Sequence, residues 1–355
     1  MAQEFDLNSL NVTIVHRRIK HHAKHSGYNT VFEYMKIPHA EGGLRSYIAS
    51  HIPASLRWRL HTLRPQAVGD EGLLPELKAM STVASSSPGI CHFIYGEDTY
   101  FYTPLWQHKN KKVIASYHYP PVRLDERVNN AVLSRLDAVV LMSNSQKDWF
   151  AKYMPEEKIY VVNHHVDTNF FVPAPPTTDT KLKIVSLGGI LRDMNLLHEV
   201  VSGITKMLGK DQVEFNFLIP KSEWPKFKHF DNVNLLSGIS DEQLRDLYQT
   251  STIGFMPLID CTANNAVLEM MACGTAIVCS NVGGISDYIT SDGAIMFSHD
   301  TDPALLCEQI IQLSKQTEKI KIMGKFNRKR AEKEFSLAAT ANKLKLVYQS
   351  ICQQS

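Results

Sequence analysis

The sequence predicts an α/β protein built from two doubly wound units. Short β-branched runs alternate with helical patterns along all 355 residues, which is typical of parallel strands joined by crossover helices. Residues 172–181, VPAPPTTDTK, are rich in Pro and Thr and lack periodicity, so they predict a linker between two series of strands. We therefore expect an N-terminal domain over residues 1–173, a C-terminal domain over 174–334, and a tail over 335–355.

Eleven runs predict the strands in chain order. The first series is NVTIVH, CHFIYG, KKVIASYH, DAVVLMSN and KIYVVNHH, and the second is KLKIVSLG, VEFNFLIP, NVNLLSG, STIGFMPL, TAIVCSN and GAIMFS. The tail is strongly helical, and we expect it to return to the first domain. Ligands of open parallel sheets bind beyond the carboxyl ends of the strands, so the loops there should line an interdomain cleft.

Composition excludes several classes of protein. With 38 basic and 36 acidic side chains the net charge is +2, so no global field indicates a nucleic-acid partner. None of the six cysteines forms a C-x-x-C pair, which argues against a zinc site or a disulfide framework. No window reaches the roughly 18 apolar residues that span a bilayer. We expect a cytoplasmic protein.

The segment after strand STIGFMPL carries the strongest functional pattern. ANNAVLEMMAC has helical spacing, and Gly274 stands where a left-handed cap is common, so a helix should begin near Thr262 to Asn264. Such a helix start presents unpaired N–H groups and a positive dipole end, which suit a diphosphate. Glu269 lies about one and a half turns further on, where it reaches a ribose or faces solvent.

The wider segment PLIDCTANNAVLEMMACGTAIVCSNVGG, residues 257–284, resembles the donor site of retaining glycosyltransferases of the GT-B fold, family four. VVNHHVDTNFF, NVGGISDYI and SGISDEQLRDLYQTSTIGFMP are similar to further segments of that family. HSGYNTVFEYM, FIYGEDTYFY and SYHYPP resemble a bacterial subgroup, so the resemblance covers nearly the whole chain. It implies two Rossmann-like domains that face a cleft, and transfer of a sugar from a nucleotide-diphosphate donor without a metal.

Two family positions depart from the pattern on the donor side. The resemblance implies that Glu269 holds the donor ribose, but its partner glutamate is replaced by Cys261, which cannot accept paired hydrogen bonds as a carboxylate does. Asp260 is one candidate for that role. The other candidate is a set of backbone amides, at Thr262, Ala263, Asn264 and Asn265.

The second departure lies in SLGGILRDMN, residues 186–195. Family members carry Arg and Lys where this chain has Gly189 and Met194, beside Gly188. We expect Arg192, on the same loop, to bind the donor diphosphate instead, because its forked guanidinium matches phosphate oxygens. The alternative is a surface arginine that pairs with Asp193 or lies at a helix start.

The first domain supplies candidate residues for the acceptor and the reaction. The resemblance places His118, at the end of strand KKVIASYH, beside the reacting sugar; a strand-end histidine with a structural role is the alternative. Glu97 follows strand CHFIYG and could orient an acceptor hydroxyl, with Asp98 or Thr99 left to cap a helix TYFYTPLWQ. The family's flexible loop matches HSGY, and its members are Ser26, Gly27 and Tyr28.

The same loop carries a basic and histidine-rich cluster, HRRIKHHAKH, residues 16–25. His21, His22 and His25 suggest metal ligation only weakly, since no carboxylate accompanies them. The cluster equally suits an anionic acceptor, a peripheral membrane contact, or water.

We therefore predict a retaining, metal-independent glycosyltransferase that needs no cofactor and takes a UDP- or GDP-sugar as donor and a saccharide, lipid-linked or small-molecule hydroxyl as acceptor. Two rivals are a non-catalytic nucleotide-sugar binding protein, favoured by Cys261 and the absent Arg and Lys, and a GT-B-fold epimerase. The epimerase requires an acid/base pair, for which no residues stand out.

Overall fold

The computed structural model describes residues 10–16, 25, 27–40, 51–63, 72–175 and 181–353. The chain divides into two compact units. The described residues of unit 1 fall within Met1–His22, Tyr28–Asn163 and Thr340–Ser355, and those of unit 2 within Ala23–Gly27 and His164–Ala339. His21, His22 and Ser26, which the sequence analysis singled out, lie outside the described residues.

Unit 1 is built on a parallel sheet. Its described strands run in the order β1-β2-β3-β4-β5, with every neighbouring pair parallel. They are β1 Val12–Val15, β2 Gly89–Phe93, β3 Lys111–Tyr117, β4 Ala138–Leu141 and β5 Ile159–Val161. Four of them lie within the predicted runs, and β2 begins two residues before its run, CHFIYG, and ends three residues before the end of that run. Because β2 and β3 are neighbours, the loops at their carboxyl ends lie side by side.

The helices described between these strands are short. They are α1 Thr30–Tyr34, α2 Ala54–Thr62, α3 Leu73–Lys78, α4 Met80–Val83, α5 Gly96–Thr99, α6 Pro121–Arg127 and α7 Lys147–Phe150. The predicted helix TYFYTPLWQ is wrong: α5 ends at Thr99, and a 3₁₀ turn follows at Thr103–Leu105. The buried carboxylate of Glu76 accepts hydrogen bonds from the amides of Phe101 (2.7 Å) and Thr103 (2.8 Å), so these groups are not available to a continuous helix.

Unit 2 holds a second parallel sheet in the order β11-β10-β9-β6-β7-β8. The strands are β6 Leu182–Leu187, β7 Val213–Leu218, β8 Val233–Leu235, β9 Ile253–Met256, β10 Ala276–Ser280 and β11 Ala294–Phe297. All six lie within predicted runs. The strand β9 is buried along its whole length and is a central strand, so the loop that follows it starts from a rigid support.

The helices of unit 2 are longer, and several begin with side-chain caps. They are α8 Met194–Leu208, α9 Asp241–Thr250, α10 Asn265–Cys273, α11 Pro303–Ser314 and α12 Thr317–Glu334. Ser240 and Gln243 form a capping box at the start of α9. Two core clusters of buried apolar side chains cover the two faces of the sheet, and α10 lies within one of them.

The final helix, α13 Leu337–Gln353, belongs to unit 1 from Thr340 onward. On β2, the buried ring of His92 lies between Tyr348 of α13 (Nδ1 to Oη, 2.8 Å) and Ser116 of β3 (Nε2 to Oγ, 2.7 Å). Burial lowers the pKa of His92 to about 3, so the ring is neutral and joins α13 to the sheet by hydrogen bonds alone.

Within the described residues, no helix combines the length and apolar character that a bilayer crossing requires.

Candidate functional site

The start of α10 is the feature that the sequence singled out. Asn264 is its N-cap, with Oδ1 accepting from the Val267 amide at 3.3 Å, and Gly274 ends it in the left-handed conformation at φ 73°. The predicted start and end of this helix are confirmed. The first-turn amides of α10 have no partner within the helix, and its dipole adds positive potential there, so an anion is favoured at this point.

The loop after β6 lies directly against the loop after β9. The Asp193 amide donates to the Pro257 carbonyl at 2.8 Å, and the Ile259 amide donates to the Leu191 carbonyl at 2.9 Å. Leu191 adopts φ 53°, an uncommon conformation for a residue with a branched side chain. This pairing brings Arg192 opposite Leu258, a few residues before the start of α10.

Arg192 is held by backbone carbonyls. Its Nε donates to Leu187 O and its Nη1 to Ile190 O, both at 3.0 Å. A Cβ at Gly188 would lie 3.0 Å from Nη2, so the guanidinium rests on that glycine. Burial lowers the pKa of Arg192, yet the group stays cationic in any accessible pH range. Among the described residues, no carboxylate lies within ion-pair distance of it.

The alternative pairing of Arg192 with Asp193 is wrong. The Asp193 carboxylate instead caps α8, accepting from the amides of Asn195 (3.1 Å) and Leu196 (2.9 Å). Arg192 is therefore a partly buried cation whose charge is not balanced by an acid among the described residues. Such a cation favours an anionic ligand, since an unbalanced charge that is partly removed from water gains from an opposite charge beside it.

Packing accounts for one of the two departures from the family pattern in this loop. A Cβ at Gly189 would overlap the ring of Pro220, so no side chain fits at the position where the family carries arginine. Met194, where the family carries lysine, is the first residue of α8 and is buried.

Hydrogen bonds with neighbouring residues hold the turn that contains Cys261. Asp260 Oδ1 accepts from the Cys261 amide at 2.7 Å, and the Cys261 carbonyl accepts from the Gly284 amide at 2.8 Å. A Cβ at Gly283, which has φ 54°, would overlap both Asp260 Oδ1 and the Cys261 carbonyl. Burial raises the pKa of Cys261 to about 12, so its thiol is neutral. Burial also raises the pKa of Asp260.

Glu269 is buried on α10, and its Oε2 accepts a hydrogen bond from the Tyr248 hydroxyl of α9 at 2.6 Å. Burial, reinforced by the Glu269 charge, raises the pKa of Tyr248 well above its ordinary value, so Tyr248 acts as a neutral donor. Tyr248 was not among the residues predicted from the sequence. Its position four residues after the buried Leu244 indicates a buried face of α9, but that spacing does not identify a partner. The alternative in which Glu269 faces solvent is wrong.

A second group of predicted residues meets in unit 1. His118 Nδ1 lies 3.0 Å from Glu97 Oε1, and the two side chains are 9% and 3% exposed. Tyr28 and Tyr95 pack against the imidazole, with ring centroids at 4.0 and 4.9 Å. Among the described residues, nothing donates to Glu97 Oε2, although that atom is buried.

The loop before α1 contacts the segment that starts at His164. His165 Nε2 lies 3.2 Å from the Gly27 carbonyl, and His25 Nδ1 lies 3.1 Å from Asp167 Oδ2. Burial lowers the pKa of His165 to about 4. The His25 ring stacks on the Phe170 ring at a centroid distance of 3.8 Å.

In the described part of the chain, no group of three or more His, Cys, Asp or Glu side chains has the arrangement of a metal site.

Sequence comparison links unit 2 to a known family. Residues 184–316 match the family model of glycosyl transferases group 1, which confirms the predicted resemblance over that part of the chain. The alpha-maltose-1-phosphate synthase of Mycolicibacterium smegmatis is 22% identical over 255 residues. That match covers 63% of this chain and 66% of the relative, so it leaves about a third of each outside.

Structural comparison identifies the fold. Sucrose-phosphate synthase from Thermosynechococcus elongatus superposes with a TM-score of 0.64 at 16% identity, covering 81% of this chain and 79% of that one. Anabaena HepE, solved in complex with UDP, has a TM-score of 0.61 at 13% identity, covering 78% and 82%. These likenesses confirm the predicted GT-B fold of two parallel-sheet α/β domains.

Proposed function

We propose that this protein is a retaining glycosyltransferase that moves a sugar from a nucleotide-diphosphate donor to an acceptor hydroxyl. One observation carries the proposal: the partly buried guanidinium of Arg192 has no carboxylate partner among the described residues, and Arg192 lies opposite Leu258, a few residues before the start of α10. A cation and a helix N-terminus together favour a diphosphate. The match of residues 184–316 to glycosyl transferases group 1 supports the same function.

In this proposal unit 2 binds the donor. Arg192 and the backbone at Thr262, Ala263, Asn264 and Asn265 hold the diphosphate, and Gly188 and Gly189 leave room for it. Glu269 binds the ribose through its carboxylate, whose orientation is set by the bond from Tyr248. Because Cys261 is neutral and Asp260 is engaged by the Cys261 amide, we assign the sugar contacts of this turn to backbone amides first and to Asp260 second.

The reaction needs charge stabilisation rather than a protein nucleophile. As the sugar–phosphate bond breaks, negative charge grows on the diphosphate, and a preorganised guanidinium and helix dipole stabilise it without a metal ion. The acceptor hydroxyl then attacks from the face that the diphosphate leaves, which retains the anomeric configuration. His118 contributes polar contacts to the reacting sugar, and Glu97, Ser26, Gly27 and Tyr28 are assigned to the acceptor and to the loop near the phosphates.

The donor is a UDP- or GDP-sugar in this proposal, and the UDP complex of Anabaena HepE supports the first. Acceptors that fit are a saccharide, a lipid-linked saccharide or a small metabolite in glycan, glycolipid or glycosylated-metabolite biosynthesis. We assign the protein to the cytoplasm, with peripheral contact at the inner face of the membrane as the means of reaching a lipid-linked acceptor.

A donor panel tests the proposal. The full chain is screened by thermal shift with UDP-, GDP-, ADP- and TDP-sugars, since a ligand at 100 times its Kd stabilises by about 2.7 kcal/mol. Mass spectrometry then follows donor consumption with saccharide and lipid acceptors, and proton NMR of the product reports the anomeric configuration. Retained configuration in a transfer product supports the proposal. Binding of nucleotides without any transfer or donor hydrolysis would establish a binding protein instead, and inversion would overturn the retaining mechanism.

A further inference from the structure

Glu97 and His118 form a buried pair at the carboxyl ends of two neighbouring strands, β2 and β3. We propose that Glu97 is a positioning residue of the transfer reaction: it holds the His118 ring as the Nδ1–H tautomer, so that Nε2 accepts a hydrogen bond from a sugar hydroxyl. This proposal rests on the proposed function, because it gives the pair a role in that reaction.

The tautomer follows from the chemistry of the contact. An ionised carboxylate only accepts hydrogen bonds, and Glu97 Oε1 lies 3.0 Å from His118 Nδ1, so Nδ1 carries the hydrogen. In a neutral imidazole the other nitrogen, Nε2, then has the lone pair. Nε2 is therefore the atom of His118 that can accept a proton or a hydrogen bond from a hydroxyl.

The surroundings fix the ring as well as its tautomer. Tyr28 and Tyr95 pack against the imidazole at centroid distances of 4.0 and 4.9 Å. The helix α5, which carries Glu97, is pressed against β3: a Cβ at Gly96 would lie 2.7 Å from Tyr117 Cζ. Because α5 packs tightly against β3, the Glu97 carboxylate is fixed in position and holds the imidazole in one orientation, as a reaction site requires.

A purely structural role explains this arrangement less well. Glu97 is 3% exposed and has two acceptor oxygens, yet only Oε1 has a partner among the described residues, and Oε2 is buried without a donor. A charge buried for packing alone normally has all its oxygens satisfied, because each unpaired one destabilises the fold. The buried Glu76 also has Oε2 without a donor among the described residues, but its Oε1 receives three donors, the amides of Phe101 and Thr103 and the hydroxyl of Thr103, whereas Oε1 of Glu97 is paired with His118.

Two variants of Glu97 and one matched control test the proposal in the full chain. Glu97→Ala removes the acceptor, Glu97→Gln keeps the shape without the charge, and Glu126→Gln removes the charge of an exposed pair with Arg123. We expect kcat for transfer to fall by about 10- to 100-fold in both Glu97 variants, within the range typical of one positioned acid–base group. The Kd of a nucleoside diphosphate, which lacks the sugar, should change by less than about twofold, since the proposed diphosphate and ribose contacts lie in unit 2, and Glu126→Gln should behave as the wild type.

A spectroscopic readout separates positioning from folding. Nitrogen-15 NMR of the histidine side chains, with His118→Gln to assign the signal, should show Nδ1–H for His118 in the wild type and a mixture of tautomers in Glu97→Ala. An unchanged tautomer in Glu97→Ala, or a normal kcat in both Glu97 variants, overturns the proposal. A loss of thermal stability with kcat per folded molecule unchanged would also overturn it and show a structural pair.

The two failures are distinguishable. If the wild type transfers sugar and the Glu97 variants transfer it equally well, only the role of Glu97 is refuted. If the wild type consumes no donor with any acceptor, the proposed function is refuted and the role of Glu97 with it.

Discussion

Replacing Arg192 by alanine is the perturbation whose outcome the structure specifies most fully. In the proposed complex the guanidinium makes at least one charge-assisted hydrogen bond to the diphosphate, which contributes about 1.5–3 kcal/mol. The Kd for a nucleoside diphosphate should therefore rise by about 10- to 150-fold. Arg192→Lys should fall between alanine and the wild type, since an ammonium keeps the charge but lacks the fork.

The same change also affects the loop, and the assay must separate the two effects. The carbonyls of Leu187 and Ile190 each lose a donor from Arg192, at a cost of about 1 kcal/mol each where water does not replace it. Isothermal titration calorimetry with UDP and GDP, and with uridine and guanosine, isolates the phosphate contribution. Arg245→Ala is the control, because that guanidinium pairs with Asp246 at 3.1 Å in the same unit.

The expected result is a penalty confined to the diphosphates. A nucleoside without phosphate should bind wild type and Arg192→Ala equally, and the diphosphate penalty should shrink as salt rises. An equal penalty for uridine and UDP would refute the reasoning, since it would show that Arg192 supports the loop and makes no phosphate contact.

Three further predictions address other parts of the molecule. Glu269→Gln should raise the Kd of a ribonucleotide by about 10- to 150-fold in calorimetry, through lost charge-assisted bonds to ribose, and leave the 2′,3′-dideoxy analogue nearly unaffected; an equal effect on both would exclude the ribose contact. Gly283→Ala should destabilise unit 2 by about 1–3 kcal/mol in urea unfolding, because φ is 54° and the methyl overlaps Asp260; an unchanged midpoint would contradict this. Burial lowers the pKa of His92 to about 3, so below pH 6.5 the unfolded chain binds more protons at this residue than the folded chain does. The free energy of unfolding should therefore fall by about 1.4 kcal/mol per pH unit from this residue as the pH drops from 6.5 toward 3. His92→Gln should reduce that slope in unfolding measurements, and an identical slope would argue against a buried neutral ring.

Local patterns in the sequence predict much of the fold. Each described strand of the two sheets except β2 lies within a short predicted run, and β2 overlaps its run, because parallel strands buried on both faces need apolar and β-branched residues. The limits of α10 were also predictable, since Asn264 and Gly274 act on their own backbone within a few residues.

Contacts between distant segments were not predictable in the same way. Glu97 and His118 were each singled out, but their pairing depends on β2 and β3 being neighbours, which spacing alone does not establish. The bond from Tyr248 to Glu269 joins two helices whose packing is set by the whole core. The space for a side chain at position 189 is likewise filled by Pro220, which is 31 residues away in the sequence.

A crystal structure of the full chain with a bound nucleoside diphosphate tests the central claim most directly. The account predicts phosphate oxygens within hydrogen-bonding distance of the Arg192 guanidinium and of the amides at the start of α10, with the ribose hydroxyls on Glu269. A nucleotide bound elsewhere, with the start of α10 and Arg192 in contact only with solvent, would contradict it.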